Sequence, residues 1–156
     1  MRMMGLMLGR RGACLAAALV LTIGIAGCTG QANNANLVPV TGNIKLDNKP
    51  LAGASVTFLV AGGTPGLGGV GITDEAGNFE VADFRAGKGL APGDYKIVVS
   101  KIVMADGSPI PAGTVSIAEL NTRELLPRRY ADPNATVLNC SIKGGDAPVT
   151  LELASR

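Results

Sequence analysis

The stretch "VTGNIKLDNKPLAGASVTFL", Val40 to Leu59, decides the fold. On both sides of the turn signal "DNKP", Asp47 to Pro50, apolar or small residues alternate with polar ones. A period of two is typical of β-strands that bury one face, and Asp, Asn and Pro are typical of the turn between them. The stretch therefore predicts two strands joined by a tight turn.

The same alternation recurs along the rest of the chain. It is clear in "GITDEAGNFEV" (Gly71 to Val81), in "APGDYKIVVSK" (Ala91 to Lys101) and in two runs near the end. About seven short strands with turn signals between them are typical of an antiparallel sandwich. The sequence predicts an all-β chain whose residues 38–156 form a single antiparallel Greek-key β-sandwich.

Several residues have a predicted structural role in this sandwich. Gly53 and Gly77 stand where a turn needs a positive φ. Asp74 is placed to accept hydrogen bonds from backbone amides across its turn. Aromatic residues make up only 3% of the chain and tryptophan is absent, so Val, Ile and Leu must fill most of the core. Three aromatic side chains are expected between the sheets: Phe58, Phe79 and Tyr95.

The three quoted stretches together resemble the carboxypeptidase-regulatory-like domain, whose fold is of the transthyretin type. The segment "LLPRRYADPNAT", Leu125 to Thr136, resembles a segment of small secreted versions from planctomycete-like bacteria. The resemblance implies a transthyretin-like sandwich and an accessory domain without peptidase activity. Its motifs consist of turn and core residues, so they indicate a fold more than an activity.

Residues 105–133 lack clean alternation and stand out as an irregular insertion. Within them "TVSIAELNTRELL", beginning at Thr114, is compatible with a short helix capped by Thr114 or Ser116, or with irregular structure. In the helical alternative Ile117, Leu120 and Glu124 share one side. An insertion of this length is where a functional loop is expected.

The N-terminal residues have the features of an export signal. Arginines near the start precede an uncharged apolar run from Ala13 to Ile25, and a small residue, Gly27, precedes Cys28. The apolar run is shorter than the roughly 20 residues that a spanning helix needs. Residues 1–27 are therefore predicted to be a cleaved signal peptide.

The sequence Ile25-Ala26-Gly27-Cys28 resembles the bacterial lipobox. The resemblance implies cleavage between Gly27 and Cys28 and acylation of the Cys28 thiol. Residues 28–37 would then be the lipidated cysteine and a polar tether. Cleavage by an ordinary signal peptidase and an uncleaved anchor helix remain alternatives. Thr29 stands where an aspartate would favour inner-membrane retention, which favours the outer membrane or periplasm.

The net charge and the cysteine content limit which partners and which disulfides are expected. Three of the 14 basic residues precede residue 28, which leaves 11 basic against 12 acidic residues and a net charge of −1. That charge does not fit a nucleic-acid-binding surface. After removal of Cys14 and lipidation of Cys28, only Cys140 keeps a thiol, so no intrachain disulfide is expected. Cys140 is expected to face the core.

The chain contains no histidine. The histidine-dependent chemistries of transthyretin-like hydrolases, zinc carboxypeptidases and intradiol dioxygenases therefore cannot be assigned. A Ser–His or Cys–His nucleophile is excluded on the same ground, and one usable thiol is not a zinc cluster. We expect no catalytic residues, no metal site and no cofactor.

Two motifs can be interpreted either as a ligand site or as an ordinary turn or loop. "GLGGVG", Gly66 to Gly71, matches G-x-G-x-x-G, but dinucleotide binding requires a helix after it, and a strand is predicted there. A mobile hairpin loop is the expectation. Asp74, Glu75 and Asn78 surround Gly77, yet they lack the oxygen spacing of an EF-hand loop, so a β-turn is expected rather than a calcium site.

The irregular segment holds one candidate ligand contact. Arg128 and Arg129 could hold an anionic or sugar ligand, with Tyr130 as a stacking face. The alternative is a solvated basic pair beside a packed tyrosine.

The sequence therefore predicts a non-enzymatic lipoprotein of the bacterial cell envelope, anchored through Cys28 and facing the extracytoplasmic side. Its expected partners are the membrane, through the lipid, and an envelope protein or polysaccharide, but not nucleic acid. Two alternatives remain open. One is a histidine-independent carboxylate enzyme acting on polysaccharide, with two carboxyl groups in one cleft. The other is a subunit of a larger envelope assembly that adds a partner strand to an open edge.

Overall fold

A computed structural model describes residues 36–85, 87–111, 113, 118, 120–145 and 148–156. The predicted signal segment, residues 1–27, and most of the predicted tether lie outside these residues. The described residues form twelve strands and one short helix: β1 (Thr41–Leu46), β2 (Lys49–Pro50), β3 (Ser55–Ala61), β4 (Gly69–Ile72), β5 (Asn78–Glu80), β6 (Ala82–Asp83), β7 (Gly87–Lys88), β8 (Gly93–Ser100), β9 (Ile102–Met104), β10 (Thr122–Glu124), α1 (Arg128–Ala131), β11 (Asn139–Ile142) and β12 (Val149–Leu153).

The strands form two main sheets and a small ribbon. The larger sheet has six strands in the order β11-β8-β3-β4-β6-β7. The smaller sheet has four, with β1 between β12 on one side and β2 and β5 on the other, while β9 and β10 form the ribbon. Buried side chains from both main sheets form one core. The prediction of an all-β sandwich is confirmed.

One strand pair departs from the antiparallel prediction. β1 and β12 run parallel, with Gly42 opposite Val149 and Leu46 opposite Leu153. Alternation along a strand reports which face is buried, but it does not report which strand lies beside it or in which direction. The sequence pattern was therefore sufficient for the faces of these strands and insufficient for their pairing.

At one corner of the sandwich, one extended segment of the chain belongs first to the smaller sheet and then to the larger sheet. β5 pairs with β1 in the smaller sheet, whereas β6, one residue later, pairs with β4 in the larger sheet. Val81, between the two, donates its backbone amide to the carbonyl of Val40 at 2.9 Å and is fully buried. The chain thus changes sheets at Val81.

The core is aliphatic with three aromatic side chains at its centre. The ring of Phe58 in β3 lies 6.2 Å from the ring of Phe79 in β5, measured between centroids, and 6.1 Å from that of Tyr95 in β8. Such separations are favourable for tilted and edge-to-face ring pairs. Phe58 and Phe79 belong to different sheets, so the predicted packing of aromatic residues between the sheets is confirmed.

The predicted turn residues have the predicted geometry. Gly53 and Gly77 have φ values of +62° and +78°. At Gly77 a β-carbon would also lie 2.4 Å from the carbonyl oxygen of Ile44, so both conformation and space require glycine. Asp74 accepts hydrogen bonds from the amides of Ala76 and Asn78 at 2.9 and 2.8 Å.

The glycine-rich motif differs from the expected loop, because its second half is a strand. Gly69 and Gly71 belong to β4 and are buried. A β-carbon on Gly69 would lie 2.3 Å from the carbonyl oxygen of Ala82, and one on Gly71 would lie 2.7 Å from that of Glu80. These glycines allow a close approach of backbones, and no helix follows them.

The 105–133 insertion differs from its helical alternative. Thr122–Glu124 is a strand paired with Ile102–Met104, so Glu124 does not lie on a helix, as one of the two alternatives had it. The proposed caps Thr114 and Ser116, with Ile117, lie outside the described residues. The Glu124 carboxylate accepts hydrogen bonds from the Ser100 hydroxyl and from the amides of Lys101 and Leu126, and these bonds fix the ribbon to the sandwich.

The segment that leads into the first strand lies at one end of the sandwich. Residues 36–40 precede β1, and Val38 bridges to Leu90. The 62–68 loop between β3 and β4 and the turn at Phe84 and Arg85 lie at this same end, because Gly69 pairs with Asp83. We call this end, defined by residues 36–38, 62–68 and 84–85, the N-terminal pole.

Candidate functional site

The outer face of the smaller sheet carries an open concavity with a volume of about 570 Å³. It forms where β1 and β5 lie side by side, because Thr41, Asn43, Asn78 and Glu80 point away from the core at alternate positions. We call it the polar concavity. Its lining includes Thr41, Asn43, Ile72, Asp74, Asn78 and Glu80.

A row of hydrogen bonds orders the side chains of the polar concavity. Asn43 Nδ2 donates to Asn78 Oδ1 at 2.9 Å and to the carbonyl oxygen of Ala76 at 3.0 Å. Asn78 Nδ2 in turn donates to Asp74 Oδ2 at 3.2 Å. Within the described part of the chain, Asn43 Oδ1 and the Thr41 hydroxyl have no partner. These two groups are therefore available to a ligand.

Of the two carboxylates of the polar concavity, Asp74 is held as an anion by its neighbours. The backbone amide and the side chain of Asn78 lower the pKa of Asp74 below its ordinary value, since both donate to the charged form. Glu80 pairs with Lys88 at 3.0 Å on the surface. The environment of Asp74 does not resemble that of a carboxylic acid kept protonated for proton transfer near neutrality.

Three further aspartates have a lowered pKa for the same kind of reason. Wherever an aspartate pKa departs from its ordinary value it is lowered, by hydrogen bonds to neighbouring amides and side chains: Asp47, Asp74, Asp106 and Asp132. Across residues 36–156, apart from the gaps given above, no group of three or more Cys, Asp or Glu residues is placed to hold a metal ion. The polar concavity can exchange hydrogen bonds with a polar ligand and offers Ile72 as an apolar contact.

The polar concavity was not predicted from the sequence. The alternation of apolar and polar residues placed Asn43 and Asn78 on outward positions, but the pairing of β1 with β5 could not be inferred. One signal was present, because asparagine is depleted in strands and two predicted strands each carry one facing solvent. Asp74 was singled out, but as a turn residue.

The predicted ligand contact at Arg128, Arg129 and Tyr130 has a different environment. Arg128 is 87% exposed and pairs with Asp132 at 2.5 Å. Arg129 donates to the carbonyl oxygen of Ala154 at 2.9 Å and also to that of Arg156. Tyr130 is buried, and the Arg129 guanidinium lies over its ring. Contact of these residues with a ligand stays a prediction.

The predicted lipidation residue Cys28 and the cleavage position Gly27 lie outside the described residues. No helix within the described residues has the length and apolarity needed to cross a bilayer. Cys140 in β11 is half-buried and packs against the core.

No family model and no curated protein matches the chain. Among solved structures the chain is similar to a 9R-lipoxygenase from Cyanothece PCC8801, with 17% sequence identity and a TM-score of 0.32. The similarity covers 76% of this chain and 16% of the lipoxygenase, so the chain spans less than a fifth of that protein.

Proposed function

We propose that the chain is a lipid-anchored, non-enzymatic binding module of the bacterial cell envelope. The observation that carries the proposal is the order of features up to Cys28: a positive start, a short apolar run and the lipobox-like Ile25–Cys28. Two or three acyl chains on one cysteine hold a protein firmly on a bilayer, because each buried CH₂ contributes about 0.8 kcal/mol.

The polar concavity supports a binding role for the anchored domain. An amide oxygen at Asn43 and a hydroxyl at Thr41 are unsatisfied among the described residues, and Ile72 offers an apolar contact beside them. Neighbouring amide, hydroxyl and apolar groups match the hydroxyls and C–H faces of a sugar chain. We therefore favour an envelope polysaccharide as the ligand, with an envelope protein as the alternative.

A histidine-independent carboxylate enzyme is less well supported. Asp74 and Glu80 do line one concavity, as such an enzyme would require. However, Asp74 accepts bonds from two amides and a side chain, and Glu80 pairs with Lys88. A general acid needs a raised carboxyl pKa, whereas the pKa of Asp74 is lowered.

Addition of a partner strand is also less well supported. The parallel register turns the backbone groups of Thr150 and Glu152 in β12 away from β1, which leaves an edge. That edge is short and carries a charged residue, and at its end Ala154 is held by Arg129 and Tyr130. Charged, short and covered edges disfavour strand addition.

The proposal is tested by capture from native envelope. The full chain is purified from bacterial membranes, with Cys28→Ser as the control for anchoring, and intact mass reports the acyl groups. Thr41→Ala with Asn43→Ala should reduce capture of envelope polysaccharide, whereas Thr57→Ala on the outer face of β3 should not. An unmodified Cys28, or equal capture by all variants, would contradict the proposal.

A further inference from the structure

Two large apolar residues are exposed on adjoining segments of the N-terminal pole. Leu67 in the 62–68 loop is 48% exposed, and Phe84 in the turn between β6 and β7 is 51% exposed. The backbone amide of Phe84 donates to the carbonyl oxygen of Gly68 at 3.1 Å, so the loop and the turn are fixed to each other. A single exposed apolar residue is ordinary, but here a leucine and a phenylalanine are exposed on two segments that are hydrogen-bonded to each other, and we call these two residues the apolar patch.

Basic side chains flank this patch. Arg85 adjoins Phe84 and is exposed, and Lys88 is 79% exposed. Lys143, which follows β11 at the same end, is also exposed. Three acidic residues at this end have partners within the fold: Glu80 pairs with Lys88 at 3.0 Å, Asp83 accepts from the amide of Arg85, and Asp94 accepts from the hydroxyl of Ser141 at 2.6 Å.

The N-terminal pole is also the end from which the chain leads back to Cys28. Seven residues separate Cys28 from Asn36, the first residue described. Even a fully extended chain of that length spans no more than about 30 Å. A lipid on Cys28 therefore keeps this end of the sandwich within about 30 Å of the bilayer.

We propose that the N-terminal pole docks on the bilayer surface, with Leu67 and Phe84 inserted to the depth of the headgroups and Arg85 beside anionic lipid phosphates. This inference rests on the proposed lipid anchor, which supplies the proximity. Apolar side chains rimmed by basic residues are the pattern of interfacial binding, and aromatic rings favour that depth. The strands then run away from the membrane and carry the opposite end of the sandwich outward.

The absence of tryptophan from the chain allows a direct test. The full chain with Phe84→Trp is purified from membranes and reconstituted into vesicles of phosphatidylcholine and phosphatidylglycerol that carry brominated acyl chains. The matched control is Ile72→Trp, because Ile72 is 70% exposed and lies at the far end of β4 from the N-terminal pole. Both substitutions replace an exposed apolar side chain and should leave the fold intact.

We expect brominated lipid to quench the indole fluorescence of the Phe84→Trp variant at least threefold more than that of the Ile72→Trp variant. The emission of the Phe84→Trp variant should also shift to the blue on reconstitution. In the Phe84→Trp background, Arg85→Glu should reduce the quenching about twofold or more, since each basic group near an anionic surface strengthens binding roughly fivefold. Lys45→Glu, at the far end of β1, should leave the quenching unchanged.

Equal quenching of the two variants would overturn the docking. Shielding of the Phe84→Trp indole from iodide without quenching by brominated lipid would also overturn it, because it would indicate a protein on this patch. Intact mass and flotation with vesicles report the lipid anchor separately. An acylated Phe84→Trp chain that floats but is not quenched would support the lipid anchor and contradict the docking. An unmodified chain that is quenched would contradict the lipid anchor and support the docking.

Discussion

The guanidinium carbon of Arg129 lies 4.9 Å from the centre of the Tyr130 ring. The same guanidinium donates to the carbonyl oxygen of Ala154, while the Tyr130 hydroxyl accepts the amide of Ala154 at 3.3 Å. Hydrogen bonding from Arg129 lowers the pKa of Tyr130. Two neighbouring residues of α1 thus hold the backbone that follows β12, which gives this arginine a structural role in the described fold.

Arg129→Ala should therefore lower the free energy of unfolding by about 1 kcal/mol, the sum expected of a half-exposed cation–π contact and a hydrogen bond. Arg128→Ala is the matched control, since its side chain is solvated and its ion pair with Asp132 is worth less than about 1 kcal/mol. Urea unfolding of both variants measures the difference. Equal losses would show that the contacts of Arg129 contribute nothing.

The buried hydroxyl of Thr73 connects two backbone segments. It accepts the amide of Ala54 at 2.8 Å and donates to the carbonyl oxygen of Leu51 at 2.6 Å. Thr73→Val keeps the shape and leaves both groups unsatisfied, which should cost about 1–3 kcal/mol in urea unfolding.

Thr73→Ser restores the hydroxyl and should recover most of that loss. Thr57→Val, at a half-buried position on the outer face of β3, should cost little. A fully stable Thr73→Val variant would contradict this role.

Glycine is required at Gly77 for two reasons that can be separated. Gly63 has a similar φ of +81°, but a β-carbon there would meet nothing within 4 Å, whereas one at Gly77 would meet the Ile44 carbonyl. Gly63→Ala should cost about 1 kcal/mol for the left-handed conformation alone, and Gly77→Ala clearly more. Thermal unfolding of the two variants checks the order, and an equal cost would mean that the backbone at Ile44 moves freely.

Acid should destabilise the fold through Asp74. The pKa of Asp74 is below its ordinary value of 3.8, so its contribution to stability is present above that value and is lost as the pH falls through the folded pKa. Asp74→Asn should therefore flatten the dependence of the unfolding free energy on pH below about 4. Glu75→Gln, at the exposed neighbouring position, is the control, and identical slopes for both variants would exclude this role of Asp74.

The sequence was most informative where local geometry alone determines the conformation or the burial of a residue. A left-handed φ at Gly53 and Gly77 follows from the turn, and the acceptor role of Asp74 follows from its reach to the next amides. Burial of Phe58, Phe79 and Tyr95 follows from the alternation of their strands. These expectations depend on local geometry, which sequence spacing reports.

Expectations that depend on distant neighbours were less accurate. Alternation places Val60 on the same inward face as Phe58, yet it is 39% exposed because it lies near the end of β3, where the opposite sheet no longer covers it. Val98 occupies an outward position of β8 and is nevertheless buried. Glu124 has good helix propensity, but pairing with Ile102 places it in a strand.

The candidate site could be predicted in part, because it depends on both local geometry and distant neighbours. Alternation predicted that Asn43 and Asn78 face outward, and the structure places them so. Their hydrogen bond, however, depends on β1 and β5 being neighbours, more than thirty residues apart along the chain. The lipobox-like sequence before Cys28 remains a prediction from the sequence alone.

The parallel pairing of β1 with β12 has a consequence for biosynthesis. Gly42 meets Val149, so the smaller sheet lacks one of its long strands until more than a hundred further residues have arrived. A chain that threads through a secretion channel from its N-terminal end cannot complete this sheet while threading continues. Long-range closure of this kind delays folding, so a chain exported as we propose would still be unfolded while it passes through the channel.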